Sequence, residues 1–375
     1  LLSKQLQCDF GGIATITECN NRSYVKKYDS YLKIAREQYQ EREKKAILNH
    51  ALQEGWELEH ITNELNQLVS HDINDRSEIQ DILKDMLEEP WMEKPESEQT
   101  FKTGITKIDL MTGGLKNKTA TIVAARPSMG KTDFINSLIV QAGKQGYKPI
   151  FFSLEMDRDS IVRRLVGTVG HINRMKLKDA NKYLTDAEKN QWSAVIGETS
   201  KTGLIIYDKP AQELGEIKAK VRQERLLNPD GKMLVAIDYL TLVEHTENRN
   251  FNEVQKFGKI AEGLKAIAKE FDCVMVILSQ LSRKCEERND RRPVSSDIRE
   301  SGAIEQMADV IIGLYREDYY DKKLTHPDDI NSMELIVLKN REGATGTVFI
   351  KYNKLTGVME DMQTIPPYAQ KGMKK

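Results

Sequence analysis

The pattern of apolar and polar residues changes near residue 100. Beyond that point, short apolar runs of strand length alternate with stretches in which apolar residues recur at helical spacing. This alternation is typical of an α/β domain built around a mainly parallel sheet. The predicted strands are Ala120–Ala124, Pro149–Ser153, Leu204–Tyr207, Leu234–Ile237, Val274–Leu278, Val310–Leu314, Leu335–Leu338 and Val348–Tyr352.

The chain before residue 90 has a helical character. Residues 28–51 contain neither glycine nor proline, and apolar residues recur at helical spacing over 58–69. A further set follows the i, i+3, i+4, i+7, i+8 spacing of an amphipathic helix: Ile79, Ile82, Leu83, Met86 and Leu87. Two interpretations of this stripe stay open, docking onto another subunit and packing within its own domain.

A linker is predicted directly after the stripe. Residues 88–99 combine two prolines with acidic and polar residues, which is typical of an interdomain connection. We therefore expect a small all-α module at 1–72, incomplete at its N-terminus, and a linker helix and linker at 73–99. The α/β domain then occupies 100–375.

Composition excludes several classes of protein. The chain has 375 residues with 39% hydrophobic and 30% charged residues and no long apolar run, which argues against a membrane span and against a wholly disordered chain. The four cysteines lack the close pairs of a zinc site and are too few for a disulfide framework. No secretory signal is visible at Leu1, so we expect a cytoplasmic protein. With 56 basic and 57 acidic residues, any nucleic-acid contact must come from local loops.

The first candidate for chemistry is a phosphate-binding loop between a predicted strand and an amphipathic helix. Backbone N–H groups of such a loop hold phosphate oxygens, its lysine reaches the β- and γ-phosphates, and its hydroxyl ligates Mg²⁺. Ala125 stands where a glycine is usual. The residues predicted to bind ATP are Ala125, Arg126, Pro127, Ser128, Met129, Gly130, Lys131 and Thr132.

Three further strand ends supply polar groups that suit nucleotide hydrolysis. Asp238 follows four apolar residues and is predicted to hold Mg²⁺ with Thr132, although a capping role is the alternative. Glu155 ends the strand after the loop and is predicted to orient the attacking water. Gln280 could sense the γ-phosphate, or it could be an ordinary polar strand end.

The motifs, in their order, resemble the motor domain of the DnaB family of ring-shaped replicative DNA helicases. The likeness spans about 103–355 and rests on AARPSMGKT, FFSLEM, AIDYL, LSQLSR, DIRESGAIEQ and LKNREG. The helical first part is similar to the second half of that family's N-terminal domain and to its linker helix. The resemblance implies an α/β, RecA-like P-loop fold with a mainly parallel central sheet, preceded by a small all-α module and a linker helix.

The same resemblance implies a homo-hexamer with ATP and Mg²⁺ between neighbouring subunits. Lys339 and Arg341 match the family's basic pair that reaches into the neighbour's nucleotide site, where a guanidinium can neutralise transition-state charge. Arg164 resembles a family arginine close to the γ-phosphate. Without the resemblance to this family, Lys339 and Arg341 would be interpreted as part of a solvated turn after a strand.

The resemblance also assigns a segment to single-stranded DNA. Arg299, Glu300, Ser301 and Gly302 match the family loop that lines the central channel, where arginine and exposed N–H groups hold phosphates without reading bases. Glu300 would orient neighbouring donors or contact another subunit. Two other loops are weaker candidates, through Arg249 and Asn250 after the Asp238 strand, and through Arg283 and Lys284 after Gln280; the latter loop also contains Arg288, Arg291 and Arg292.

The sequence thus predicts an ATP-dependent replicative helicase whose ring translocates on single-stranded DNA. The family implies primase and a helicase loader as partners, in the cytoplasm of a bacterial cell or, for a phage-encoded chain, of its host; the composition already argues against a membrane. A RecA-type recombinase and a KaiC-like regulatory assembly ATPase are the alternatives. The DIRESGAIEQ segment argues against both.

Overall fold

The computed structural model describes residues 42–52, 54–57, 60–61, 64, 79, 83, 87, 100–210, 212–240, 243, 253–298 and 301–373. The chain divides into two compact units, Leu1–Glu93 and Lys94–Lys375. In the first unit, residues 42–52 are helical. Ile79, Leu83 and Leu87 of the apolar stripe are helical and exposed. Ile82, Met86 and the linker 88–99 lie outside the described residues.

The second unit is built on a nine-stranded sheet with the order β3-β2-β4-β5-β1-β6-β7-β8-β9. The first six strands in this order run parallel, and β7, β8 and β9 are antiparallel to their neighbours. The strands are β1 (Ala120–Ala125), β2 (Lys148–Ser153), β3 (Ile205–Tyr207), β4 (Met233–Asp238), β5 (Val274–Gln280), β6 (Val310–Tyr315), β7 (Ser332–Asn340), β8 (Gly346–Tyr352) and β9 (Met359–Asp361).

Helices connect the parallel strands, as parallel pairing requires. The helices described in the second unit are α1 (Thr106–Thr112), α2 (Lys131–Lys144), α3 (Arg158–Val169), α4 (Ala180–Tyr183), α5 (Asp186–Ser200), α6 (Leu214–Leu227), α7 (Glu253–Glu270), α8 (Ser301–Met307), α9 (Glu317–Tyr320), α10 (Pro327–Ile330) and α11 (Pro367–Met373). Single 3₁₀ turns occupy Lys176–Asp179, Arg283–Glu287 and Ser295–Asp297.

The sheet is covered on both faces, which explains why its central strands are apolar throughout rather than alternating. Val123 and Ala125 of β1 face a core that includes residues of α2 and α3. Ile122 and Ala124 face a second core, formed with residues of α6, α7 and α8. Every residue of β1 is therefore buried.

The α/β fold class with a mainly parallel sheet is confirmed. All eight predicted strands are present, with ends that differ by a few residues. The ninth strand, Met359–Asp361, was not predicted because three residues without an apolar run give no sequence signal. It pairs with β8 at the antiparallel side of the sheet.

Candidate nucleotide site and nucleic-acid interface

Four of the parallel strands end side by side at one edge of the sheet. Ala125 of β1 is in register with Gln280 of β5, and Ser153 of β2 is in register with Asp238 of β4. We call this edge, at the carboxyl ends of β1, β2, β4 and β5, the phosphate edge. It is the position at which open α/β sheets bind ligands.

The loop between β1 and α2 has the geometry of an anion-binding turn. Ser128 and Gly130 have φ values of 65° and 100°, in the left-handed region, and the chain reverses tightly there. Glycine is favoured at position 130 by this φ, and a Cβ atom there would also lie close to Met333 Cε, at 2.9 Å, and to the Tyr352 hydroxyl, at 3.1 Å. No described side chain caps the N-terminus of α2, and its first N–H groups are available to phosphate oxygens.

Lys131, at the start of α2, and Asp238, at the end of β4, lie close enough for their charges to interact. The Lys131 ammonium lies 3.5 Å from the Ser279 carbonyl oxygen. Burial lowers the pKa of Lys131, and the charges of Asp238 and Glu155 offset part of this shift. The ammonium is thus a partly buried cation close to carboxylates, and additional negative charge would stabilise it.

Asp238 is the most strongly perturbed acid at this edge. Only 2% of its surface is exposed, and burial raises its pKa to about 6, with a further contribution from Glu155. The charges of Lys131 and Arg164 and a 3.4 Å hydrogen bond from Thr132 Oγ1 to Asp238 Oδ2 act in the opposite direction. A divalent cation beside this carboxylate would relieve the cost of its buried charge.

These donors suit Mg²⁺. The ion typically takes one or two protein oxygens and completes its octahedron with substrate phosphates and water. Thr132 and Asp238 offer one hydroxyl and one carboxylate. Among the described residues, no group of three or more His, Cys, Asp or Glu side chains is arranged to hold a metal ion.

The structure brings Glu155 and Gln280 to the same edge. Glu155 is exposed, lies two residues beyond the end of β2, and is close enough to influence the pKa of both Lys131 and Asp238. Gln280 ends β5 and is half-buried. Each strand end therefore places a polar group around the position that a polyphosphate would occupy.

Arg164 lies near this edge, where it pairs with Asp133, a residue that the sequence did not single out. Its Nη1 is 3.5 Å from Oδ1 of Asp133, the residue directly after Thr132. The buried Asp133 also accepts hydrogen bonds from Arg174 Nη1 and from the Tyr352 hydroxyl, each at 2.5 Å. An acid immediately after the Gly-Lys-Thr sequence was the available signal, since a carboxylate buried there needs cationic partners.

Two other contacts at the loop had no sequence signal. The ring of Tyr239 lies 5.5 Å from Lys131 Nζ. Arg316, buried beside Asp318, donates from Nη1 to the Ser128 carbonyl oxygen at 3.1 Å and so supports the loop from the side of β6. Both depend on tertiary placement, because neither residue is near the loop in the sequence.

The side chain of Arg126 points away from the other loop residues. The residue is buried, and its guanidinium binds Glu286 and the Leu281 carbonyl oxygen, so it does not extend into the space above α2. Among its neighbours, Pro127 and Ser128 are exposed and Met129 is buried. The backbone of Arg126 thus remains part of the loop, while its side chain is held by the segment that follows β5.

Lys339 and Arg341 lie at the opposite edge of the sheet, where β6 begins and β7 ends, which we call the finger edge. Asn340 is in register with Val310, and Val310 with Thr121 of β1. Thr121 and Ala125 are about 13 Å apart at roughly 3.3 Å per residue. The pair therefore cannot reach the nucleotide site of its own chain.

At the finger edge, cations bind the carbonyl oxygens at the end of α8. Lys339 Nζ contacts the Glu305 oxygen, and Arg341 Nη2 contacts the Gln306 oxygen at 2.6 Å. Lys265 Nζ contacts the Met307 oxygen at 2.8 Å. Asp309 pairs with Lys265 at 2.7 Å and with Arg341 at 3.3 Å. The helix end, which lacks intrahelical partners, is thus occupied by side chains.

The residues predicted to bind DNA are only partly described. Arg249, Asn250, Arg299 and Glu300 lie outside the described residues. Gly302 is exposed in the first turn of α8, which begins at Ser301. Arg283 and Lys284 are exposed in the 3₁₀ turn after β5.

The other basic residues of that loop are engaged within the chain. Arg288 forms a pair of 2.7 Å hydrogen bonds with Asp297. Arg292 pairs with the buried Glu334 at 2.7 Å. The Arg291 guanidinium lies 4.9 Å from the ring centre of Tyr320. Arg283 and Lys284 are therefore better placed than these three for contact with a ligand.

The sequence and the fold both match known proteins. Residues 100–361 match the family model of the DnaB-like helicase C-terminal domain. The replicative DNA helicase DnaC of Bacillus subtilis is 40% identical over 274 residues, which cover 71% of this chain and 59% of that protein. The chain thus spans less than two thirds of the length of this relative.

Two solved structures are similar. One is an ATPase domain that superposes with a TM-score of 0.71 at 37% identity, covering 77% of this chain and 100% of that one. The other, a DnaB-like replicative helicase described together with its interactions with primase, gives a TM-score of 0.76 at 32% identity, covering 96% of this chain and 85% of that one. No helix within the described residues is long and apolar enough to cross a membrane. The chain belongs to the DnaB-like helicase family.

Proposed function

We propose that this protein is an ATP-driven replicative DNA helicase that works as a homo-hexameric ring. One observation supports this most strongly: the residues proposed for the two halves of a nucleotide site lie on opposite edges of one sheet. The phosphate edge holds Lys131, Thr132 and Asp238, whereas Lys339 and Arg341 are at the finger edge. Head-to-tail contact between copies would join the halves, and such contacts form a ring when the rotation from one copy to the next closes.

In this proposal the loop residues bind the triphosphate of ATP. The N–H groups at the start of α2 hold phosphate oxygens, and Lys131 neutralises the β- and γ-phosphates. Thr132 and Asp238 hold Mg²⁺, which supplies charge neutralisation on the phosphates when bound. Glu155 orients the attacking water and accepts its proton, while Gln280 contacts the γ-phosphate.

The neighbouring subunit completes the site. Its Arg341 binds the equatorial oxygens of the γ-phosphoryl group, and its Lys339 adds a second positive charge. Both residues must first leave the carbonyl oxygens of α8. Hydrolysis therefore depends on subunit contact, and the same α8 begins at the segment proposed to hold DNA.

For nucleic acid we propose a channel lined by Arg299 to Gly302, with Arg283 and Lys284 as additional phosphate contacts. A motor that moves along any sequence needs contacts to the backbone, not to base edges. The first unit would form or complete a collar at 1–72, joined to the motor by 73–99. The collar would recruit primase and a helicase loader in the cytoplasm of a bacterial cell.

The test is strand displacement by the full chain. A forked duplex with a labelled strand is incubated with protein, ATP and Mg²⁺, and native mass spectrometry of the same sample gives the number of subunits. We expect a hexamer that releases the labelled strand only with hydrolysable nucleotide. A hexamer whose ATPase is stimulated by single-stranded DNA but that releases no strand would favour the recombinase alternative instead.

A further inference from the structure

The side chain of Arg126 connects the phosphate loop to another segment through charge. Its Nε donates to Glu286 Oε1 at 3.0 Å, and its Nη1 donates to the Leu281 carbonyl oxygen at 2.9 Å. The Arg126 side chain is 10% exposed and that of Glu286 is 37% exposed. A guanidinium this deeply buried is costly without partners, so these contacts fix where the arginine lies.

Both acceptors belong to the segment that follows β5. Glu286 is in the 3₁₀ turn Arg283–Glu287, which also exposes Arg283 and Lys284 to solvent. The turn is braced by hydrogen bonds from Lys284 N to Ser282 Oγ at 3.4 Å and from the buried Cys285 thiol to the Ser282 oxygen at 3.0 Å. In so short a turn, displacement of the exposed cations must also displace Glu286.

A backbone contact reinforces the connection. The Leu281 N–H donates to the Ala125 carbonyl oxygen at 3.1 Å, directly after the residue pair Ala125 and Gln280. The loop and the turn are therefore linked at two levels, by the sheet itself and by the Arg126 side chain. Only the second link can be broken without changing a strand.

We propose that Arg126 is a positioning residue that couples the phosphate loop to the exposed basic turn Arg283–Glu287, so that nucleotide and single-stranded DNA each favour binding of the other. The inference rests on the proposed function. A strand held by Arg283 and Lys284 fixes the turn, Glu286 then fixes Arg126, and the loop stays in its phosphate-binding conformation. Because coupling is reciprocal, a bound nucleotide must raise the affinity for the strand by the same factor.

The experiment compares ATP hydrolysis by the full chain with and without an oligo-dT strand. Glu286→Gln removes the charge on the acceptor without substituting any residue of the phosphate loop. Arg126→Ala removes the donor, and the exchanged pair Arg126→Glu with Glu286→Arg restores an ion pair of opposite polarity. Asp208→Asn is the matched control, since Asp208 also accepts two 2.8 Å hydrogen bonds from an arginine, Arg158, but lies directly after β3.

We expect Glu286→Gln and Arg126→Ala to lose most of the stimulation by DNA, and the factor by which nucleotide and strand raise each other's affinity to fall about fivefold or more, the lower range of allosteric coupling. Glu286→Gln and Asp208→Asn should keep the basal KM for ATP, and Asp208→Asn should keep the stimulation. The exchanged pair should recover part of it. A non-hydrolysable ATP analogue should tighten oligo-dT binding by the wild type and fail to do so for Glu286→Gln.

Three results would overturn the inference. Full stimulation in Glu286→Gln contradicts it even if the exchanged pair does not fold. A raised KM in Arg126→Ala with unchanged stimulation would make Arg126 a phosphate ligand. A wild-type protein without any stimulation by DNA refutes the proposed function as well, which separates that failure from the first two.

Discussion

The cations at the two edges of the sheet have opposite surroundings. At the phosphate edge, Lys131 is partly buried with a long 3.5 Å contact to Ser279, and Asp238 keeps a strongly raised pKa. At the finger edge, Arg341 and Lys265 have short contacts to carbonyl oxygens, 2.6 Å and 2.8 Å, and share Asp309. The first edge has charge without adequate partners, and the second has partners for every one of these charges.

This difference assigns different requirements to the two halves of the proposed site. The phosphate edge gains stability by receiving a polyphosphate and a divalent cation, because desolvated charges there acquire counter-charges. The finger edge must lose contacts before it can act, because its cations already satisfy the end of α8. Lys265 remains available to hold that end when Lys339 and Arg341 leave.

The largest expected effect is at the phosphate edge. Lys131→Ala removes the loop's cation, and we expect ATP hydrolysis to be abolished, because both the binding of the β- and γ-phosphates and the neutralisation of their charge depend on this ammonium. Lys144→Ala, an exposed position at the other end of the same helix α2, is the control and should turn over normally. Steady-state ATP hydrolysis measures both; wild-type turnover in Lys131→Ala would remove the site from this edge.

The phosphate edge was also the part that the sequence predicted best. A strand end, a glycine turn and a helix start are local features, and Lys131, Thr132 and Asp238 are brought together as the motifs suggested. The side-chain directions were not predictable, since Arg126 binds Glu286, which is far away in the sequence. The acid at 133 needs Tyr352 and two arginines from other elements, which no local pattern encodes.

At the finger edge, by contrast, little could be predicted from local sequence patterns. Lys339 and Arg341 were identified only through the family resemblance, because a basic turn after a strand has no distinguishing pattern. The antiparallel direction of β7 places the pair far from its own phosphate loop, and periodicity gives no information about strand direction. The contact with α8 likewise depends on packing between elements.

The second prediction tests whether the edges act on each other between subunits. Arg341→Ala should bind ATP nearly as well as the wild type but hydrolyse it about 1,000-fold more slowly, the lower range for an arginine finger. Mixed with Lys131→Ala subunits at equal amounts, it should regain activity at about one interface in four, where both intact halves meet. Nucleotide binding and turnover are measured over a series of mixing ratios.

A matched control excludes rescue by ring formation alone. The double variant Lys131→Ala with Arg341→Ala, mixed with Lys131→Ala, forms rings without any intact site and should stay inactive. Equal activity in the two mixtures, or none in either at every ratio, would contradict a site shared between subunits.

The smallest expected effect concerns the free energy of burying the ionised Asp238 carboxylate. Because burial raises the pKa of Asp238 from 3.8 to about 6, the folded protein binds a proton between these values that the unfolded chain releases. This group's contribution to the free energy of unfolding therefore grows as the pH falls through 6 and is lost as the pH rises. Without nucleotide or metal, the wild type should gain about 1 kcal/mol over Asp238→Asn between pH 7 and pH 5, measured by denaturant unfolding in chelator. An identical pH response in both proteins would mean that Asp238 is adequately compensated, and the contrast between the two edges would then disappear.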